Sequence, residues 1–217
     1  MTIRPASDAS LLVSFGDSIS LEAHHQVLRL AQALADMPLG VRNLHPAFAS
    51  VLVDFDPRRC TQAQIESLIR ERLAASETIS HGERRLIEIP VRYGGEFGPD
   101  LAEVARHTGL SPERVVELHS SAEYLVYFLG FSPGFPYLGG MPPELATPRL
   151  PAPRRRVPAG SVAIGGAQTG IYPLESPGGW RLIGRTPLRL FDAAAEPPAL
   201  LAIGDRVRFV PVPELPR

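Results

Sequence analysis

Hydrophobic residues repeat with two different periods along residues 1–84. Apolar side chains recur at helical spacing over residues 20–36 and again after Thr61, which predicts two amphipathic helices. Thr61 and Gln64 also have the spacing of a capping box at the start of the second helix. Short apolar or alternating runs predict strands at residues 11–15, 41–45, 50–55 and 85–91. The resulting order, β-α-β-β-α-β, is that of a ferredoxin-like α+β domain, and the sequence does not decide whether the strand at 85–91 closes this sheet or opens a second domain.

Glycine and proline interrupt the hydrophobic pattern beyond Tyr93. Two short helices are predicted there, at residues 100–107 and 111–120, because Ser111 and Pro112 favour a helix start. Strands are predicted at residues 124–129, 161–164, 170–172, 180–183, 188–191 and 207–210. Short strands punctuated by Gly and Pro are typical of a compact, mainly-β barrel. The polar segment 76–83 is the predicted linker, which gives a small α/β domain at 1–84 and a barrel domain at 85–217.

The charges of the chain nearly cancel, since 22 basic residues stand against 23 acidic residues. This balance argues against nucleic acid or an anionic membrane surface as the main partner. Every basic residue is arginine, so the chain contains no Schiff-base lysine, biotinyl-lysine or P-loop lysine. The single cysteine, Cys60, cannot form an internal disulfide and is expected to be an inert thiol. Because the sequence shows no signal-peptide pattern and no apolar run long enough to span a membrane, we expect a cytoplasmic protein.

Four Gly- and Pro-rich segments contain the candidate chemistry, at residues 130–140, 148–158, 165–173 and 175–187. The first alternates aromatic residues with Gly and Pro, and such a restrained loop holds its backbone amides in place for a planar or anionic ligand. The second carries arginine forks that suit carboxylate or phosphate. The third brings amide, hydroxyl and phenol groups to a turn, and the fourth joins a Gly-Gly turn to the only tryptophan. Each segment has a structural alternative, namely a rigid barrel corner, a solvated charged face or a hairpin turn that satisfies its own backbone.

The candidate site residues come from these segments and from one histidine. His119 ends a predicted helix and can serve as acid or base, with a capping or surface role as the alternative. The candidate catalytic residues are His119, Gln168, Tyr172 and Arg185. The candidate substrate-binding residues are Phe131, Pro133, Gly134, Arg154, Thr169, Ser176, Gly178, Gly179, Trp180 and Thr186. Neither a metal-ligand spacing nor a nucleophile elbow occurs in the sequence, so we expect no metal site and no serine triad.

Five strings of the sequence carry a family resemblance, at residues 94–101, 124–137, 157–164, 176–180 and 204–209. In these strings and in their order the chain resembles the family described as allophanate hydrolase subunit 1, over nearly its whole length. The resemblance implies a cyclophilin-like barrel for the second domain and a small α/β first domain. It also implies that the chain functions only together with a second subunit of homologous fold.

The family includes the B component of bacterial ATP-dependent 5-oxoprolinase and a sporulation-kinase inhibitor of bacilli. The resemblance therefore implies an ATP-dependent cyclic-amide hydrolase that opens the lactam of 5-oxoproline to L-glutamate, together with a homologous-fold C component and an A component. It implies that ATP is bound with or by the partner subunits and that this chain is inactive alone. The alternatives are a binding module that inhibits a sensor histidine kinase, or a carboxyltransferase-like component of an allophanate- or urea-processing system. Prolyl isomerisation would follow only from the barrel fold, which does not fix function.

Overall fold

The computed structural model of the protein describes residues 1–76 and 85–214. The chain divides into two compact units, Met1–Glu83 and Arg84–Arg217. The predicted linker at residues 76–83 lies outside the described residues, apart from Ser76.

The first unit is a four-stranded antiparallel sheet with two helices. Its elements are β1 (Thr2–Ser7), β2 (Ser10–Ser14), α1 (Leu21–Ala33), β3 (Val41–Pro46), β4 (Ser50–Phe55) and α2 (Gln62–Ala75). The strand order in the sheet is β1-β2-β4-β3. Thr61 and Gln64 form the predicted capping box of α2, and the Ser20 hydroxyl accepts a hydrogen bond from the Ala23 N–H at the start of α1. The apolar faces of both helices share one core with the sheet, which includes Leu30 and Ile65.

The ferredoxin-like order predicted for this unit is not the order that the structure shows. The observed order is β-β-α-β-β-α, because β1 precedes the first predicted strand and pairs with β2. Hydrophobic alternation missed β1 because this strand is exposed along most of its length and contains Pro5. The strand predicted at residues 85–91 is present at Leu86–Tyr93, where it belongs to the barrel of the second unit.

The second unit is built on a closed barrel, as the sequence predicts. Its elements are β5 (Leu86–Tyr93), α3 (Leu101–Thr108), α4 (Pro112–Ser121), β6 (Glu123–Leu129), β7 (Pro136–Gly139), a 3-10 turn (Pro143–Leu145), β8 (Arg154–Val157), β9 (Ser161–Gly165), β10 (Gln168–Ile171), β11 (Ser176–Gly178), β12 (Arg181–Arg185) and β13 (Arg206–Pro211). The barrel order is β10-β7-β6-β13-β5-β12-β9, and β9 pairs with β10 to close it. Strands β8 and β11 form a separate two-stranded ribbon.

A hydrophobic core of the second unit unites barrel strands with helices α3 and α4. Ile89, Val126 and Phe209 from the strands are almost fully buried in the same cluster as Val104 and Val115 from the helices. The cyclophilin-like character of the barrel stays a prediction.

The prediction of a strand at residues 188–191 is wrong, because there only Phe191 forms an isolated bridge, with Ala199. The Thr186 hydroxyl accepts a hydrogen bond from the Leu188 N–H at 3.3 Å, so this N–H is bonded within its own segment where the strand was predicted to start. Strands β7, β8 and β11 were not predicted, because they are 4, 4 and 3 residues long and contain proline or consecutive arginines. Among the described residues no helix combines the length and the apolar character that crossing a membrane requires.

Candidate functional site

A small cavity in the second unit draws residues from all four Gly- and Pro-rich segments. Its volume is about 100 Å³. We call it the aromatic pocket, and its lining residues are Phe131, Phe135, Tyr137, Arg149, Tyr172, Gly178, Gly179 and Trp180. The structure thus brings together the sequence candidates Phe131, Tyr172, Gly178, Gly179 and Trp180.

The walls of the aromatic pocket are rings packed edge to face. The Phe135 ring centroid lies 5.4 Å from that of Tyr172 and 5.7 Å from that of Trp180. Tyr137 packs edge to face against both Phe135 and Trp180. Phe135, Tyr172 and Trp180 are nearly fully buried and belong to a hydrophobic cluster of their own. Edge-to-face pairs add stability beyond the area that they bury, so these walls are rigid.

Two glycines allow the backbone to lie against these rings. A Cβ on Gly178 would stand 2.3 Å from the Tyr172 hydroxyl, and a Cβ on Gly165 would stand 2.5 Å from the Trp180 ring. A side chain at either position would therefore collide with a ring of the pocket. This explains the glycine at position 178, before the tryptophan, and the glycine that ends β9.

Phe131 stands at the rim of the aromatic pocket in a strained conformation. Its φ is +67°, and its side chain is 61% exposed although it is fully apolar. Its ring packs edge to face on Phe135 and Tyr172. A left-handed backbone costs a non-glycine residue roughly 1 kcal/mol or more. Strain combined with an exposed aromatic ring is typical of binding loops, which makes this rim a functional candidate.

Arg149 and Tyr172 are two of the polar side chains that line the aromatic pocket. The Arg149 guanidinium carbon lies 5.5 Å from the Trp180 ring centroid, in cation–π contact. Burial raises the pKa of the Tyr172 hydroxyl, while the Trp180 backbone N–H and the charges of Arg149 and Arg154 oppose that rise. Tyr172 is therefore a neutral phenol at neutral pH.

Arg154 lies close behind the aromatic pocket and is held by a carboxylate. Its Nη2 donates to Asp100 Oδ1 at 2.7 Å, and Asp100 Oδ2 accepts from the Leu182 N–H at 2.7 Å. Asp100 is almost fully buried, so it fixes the arginine firmly. Arg156, by contrast, pairs with the exposed Glu175. The three consecutive arginines thus do not form one anion site.

His119 and Thr169 lie away from the aromatic pocket, buried within the second unit. The Tyr93 hydroxyl donates to His119 Nδ1 at 2.8 Å, and His119 Nε2 donates to the Thr169 hydroxyl at 2.9 Å. This assignment follows because Thr169 itself donates to the Ala163 carbonyl. Complete burial lowers the pKa of His119 to about 3, so the imidazole is neutral. The geometry does not favour His119 as an acid or base or Thr169 as a substrate contact, because neither lines the aromatic pocket and both are already hydrogen bonded.

Arg185 and Thr186 line a second, wider groove of about 660 Å³. Arg185 Nε donates to the Ala159 carbonyl at 3.0 Å, and Thr186 is almost fully buried. Phe97, Leu174, Phe191 and Asp192 are among the other lining residues. The structure therefore separates these two candidates from the aromatic pocket.

The remaining candidates do not line the aromatic pocket. Pro133 and Gly134 belong to the loop between β6 and β7, and a Cβ on Gly134 would stand 2.9 Å from the Phe191 Cβ. Gln168 opens β10 opposite Gly165. Ser176 has a buried hydroxyl oxygen without a hydrogen-bond partner among the described residues. Among residues 1–76 and 85–214 no cluster of three or more His, Cys, Asp or Glu side chains is arranged to hold a metal ion.

Sequence reasoning missed Arg149, Phe135 and Tyr137 as pocket residues. Phe135 and Tyr137 stand in the same Gly- and Pro-rich loop as Phe131, and the alternation of aromatics with small residues was their signal. Arg149 had no such signal, because a single arginine after proline is less conspicuous than the run at residues 154–156. Its role is visible only once the chain places it over Trp180.

Comparison with known proteins gives close relatives over almost the full chain. The chain is 51% identical to the B component of 5-oxoprolinase from Escherichia coli O157:H7, over 95% of this chain and 94% of the relative. It is 44% identical to the protein of the same name in Bacillus subtilis (strain 168), over 98% of this chain and 93% of the relative. A family model described as "Carboxyltransferase domain, subdomain C and D" matches residues 1–201.

Solved structures show the same fold within longer chains. The crystal structure of TTHA0988 superposes with a TM-score of 0.84 at 42% identity, covering 98% of this chain and 41% of that chain. This chain thus spans about two fifths of that protein's length. The urea amidolyase of K. lactis shares the fold, with a TM-score of 0.79 at 22% identity over 97% of this chain and 15% of that chain. The chain therefore belongs to the carboxyltransferase domain family, subdomains C and D, and the resemblance to allophanate hydrolase subunit 1 is confirmed.

Proposed function

We propose that this chain is the B component of an ATP-dependent 5-oxoprolinase, which opens the lactam of 5-oxoproline to L-glutamate together with the C and A components of that enzyme. The observation that carries the proposal is the 44–51% identity to proteins named as this component over nearly all of both chains. Identity of this extent over nearly all of both chains is a stronger basis than a shared fold alone.

The chemistry of the reaction explains why such a chain would need partners. A lactam is a resonance-stabilised amide, so opening it at neutral pH requires activation. In the proposed series of steps the lactam oxygen takes the γ-phosphoryl group of ATP, ADP leaves, and water adds to the carbon that bears this oxygen. The C–N bond then breaks, the nitrogen takes a proton, and a second water releases phosphate from the acyl phosphate. Phosphoryl transfer depends on phosphate and metal ligands.

The described residues supply only part of that machinery. No metal-binding cluster is found among residues 1–76 and 85–214. The aromatic pocket contributes a cation, a phenol and aromatic walls, which can bind and orient a small ring. We therefore propose a composite site in which partner subunits bind ATP and this chain is inactive alone. A cytoplasmic location also stays a prediction.

The test is reconstitution of the three-component mixture. We expect ADP release that depends on 5-oxoproline and yields glutamate, and we expect it to disappear when this chain is omitted. Omitting each of the other components in turn is the matched control. If the complete mixture hydrolyses ATP no faster with 5-oxoproline than without it, the proposal fails.

A carboxyltransferase role is the second candidate, and the family description favours it. It requires a carboxybiotin donor on another protein, because this chain has no lysine that could carry biotin. Transfer of carboxylate from a biotinylated carrier to urea or a related amide, without any requirement for 5-oxoproline, would support this role. Inhibition of a sensor histidine kinase stays a prediction that an autophosphorylation assay tests.

A further inference from the structure

The aromatic pocket contains a guanidinium that no carboxylate neutralises within the described residues. Arg149 makes its cation–π contact with Trp180 and no hydrogen bond or salt bridge to any other residue that the structure describes. Its neighbour Arg154 is paired with Asp100. A planar guanidinium that is held over an indole ring, with its donors free, is ready to bind a carboxylate in two-point contact.

The size of the aromatic pocket restricts the ligand to one small ring. Its volume is about 100 Å³. A closed cavity of roughly 150 Å³ holds a benzene ring, whereas drug-sized and cofactor ligands occupy roughly 300 Å³ or more. The aromatic pocket is smaller than either and has the exposed Phe131 at its rim, so a small lactam places part of its ring inside and the remainder against the rim. An adenine nucleotide does not fit.

Tyr172 provides a second polar group on the pocket wall. The Trp180 backbone N–H acts on its oxygen and opposes the rise of its pKa, and as a neutral phenol it has one proton to donate to a ligand acceptor. The hydroxyl is held in place, because Gly178 packs directly against it. The lining of the pocket therefore offers a cation for a carboxylate and a neutral donor for a carbonyl oxygen.

We propose that the aromatic pocket binds the 5-oxoproline molecule itself, with its carboxylate on Arg149, its ring against Trp180 and its lactam oxygen within reach of the Tyr172 hydroxyl. This inference rests on the proposed function and adds the place and the chemistry of substrate recognition. Arg149 is then the residue that distinguishes 5-oxoproline from a lactam without a carboxylate. The nucleotide binds elsewhere in the complex.

The experiment measures steady-state kinetics of the reconstituted complex with two lactams, 5-oxoproline and 2-pyrrolidinone, which lacks the carboxylate. For Arg149→Gln we expect the KM for 5-oxoproline to rise about 10- to 100-fold, because a charge-assisted contact is lost. The KM for 2-pyrrolidinone and the KM for ATP should not change. Arg155→Gln is the matched control, because Arg155 is exposed in the same arginine-rich segment and does not line the pocket.

Tyr172→Phe provides a second variant that leaves the ring packing intact. We expect it to raise the KM for both lactams by about 3- to 10-fold, as loss of a neutral hydrogen bond does. The inference is overturned if Arg149→Gln and Tyr172→Phe retain the wild-type KM for 5-oxoproline in an active complex. A wild-type complex without 5-oxoproline-dependent ATP hydrolysis overturns the proposed function instead, and the two failures are thereby distinguishable.

Discussion

Both ring nitrogens of His119 are hydrogen bonded inside the second unit, and the ring packs against Tyr124 and Phe209. In the folded protein the pKa of His119 is about 3, whereas in the unfolded chain the group has its ordinary value of 6.5. Between these values the unfolded chain binds a proton that the folded protein does not bind. The stability that the neutral, buried imidazole contributes is therefore fully present above pH 6.5 and is lost as the pH falls toward 3.

We expect this histidine to make the free energy of unfolding fall by about 1 kcal/mol for each pH unit between pH 6.5 and pH 3. Urea unfolding of the wild type and of His119→Gln at a series of pH values measures the effect. The variant will be less stable at neutral pH, but its stability should depend less steeply on pH in this window. Carboxylates contribute equally to both proteins, so parallel curves would contradict the prediction.

Gly178 and Gly179 form a matched pair for testing how tightly the aromatic pocket is packed. A Cβ on Gly178 would stand 2.3 Å from the Tyr172 hydroxyl, whereas the nearest atom to a Cβ on Gly179 is 3.7 Å away. We expect Gly178→Ala to cost about 1–3 kcal/mol of unfolding free energy, because overpacking displaces a buried ring. Gly179→Ala should cost much less, and equal stability of the two variants in chemical denaturation would show that the ring yields easily.

At the residue scale the sequence indicated which residue types take part in a site better than it indicated where the fold places them. The Gly-Gly-Trp turn and Tyr172 were recognisable because their residue types are unusual in combination, and they do line one pocket. His119 and Thr169 were chosen for the same reason, yet the fold brings them together across 50 positions of sequence and buries both. Burial depends on barrel closure, which no local pattern encodes.

The start of α2 is stabilised by a capping box that neighbouring residues form, as they would in an isolated helix. Thr61 accepts a hydrogen bond from the Gln64 N–H, and the Gln64 side chain accepts one from the Thr61 N–H. We expect Thr61→Ala to lower the unfolding free energy by about 1 kcal/mol, while Thr61→Ser, which keeps the hydroxyl, should stay within a few tenths of a kcal/mol. Thermal unfolding of both variants measures this, and indistinguishable midpoints would mean that α2 is held by packing alone.

At the element scale the four helices were predictable and several strands were not. Three of the helices have a side-chain N-cap, such as Ser111 in α4, and all four have an apolar face within a single segment. Strands β8 and β11 have neither, because each is stabilised by pairing with the other across the ribbon. Residues 188–191 were mistaken for a strand because Leu188 and Leu190 pack on the core, although the strand pairing there is limited to the isolated bridge of Phe191 with Ala199.

The whole molecule contains separate hydrophobic cores in its two units. One core lies between the sheet and the helices of residues 1–76, and the second unit contains its own core together with the aromatic cluster. A unit with its own core can fold on its own, so we propose that the domains at 1–84 and 85–217 are independent folding units. The family match spans both, and the relatives retain them together over more than nine tenths of their length.

The single tryptophan makes this proposal testable without any substitution. Trp180 is the only tryptophan and lies 6% exposed in the second unit, so its fluorescence reports unfolding of that unit alone. Far-ultraviolet circular dichroism reports both units, because α1 and α2 of the first unit are 13 and 14 residues long. We expect urea unfolding followed by the two probes to give transitions that do not coincide. Coincident midpoints and slopes would mean that the two units unfold as one, and stability effects measured in the first unit, such as that of Thr61→Ala, would then also appear in the fluorescence of Trp180.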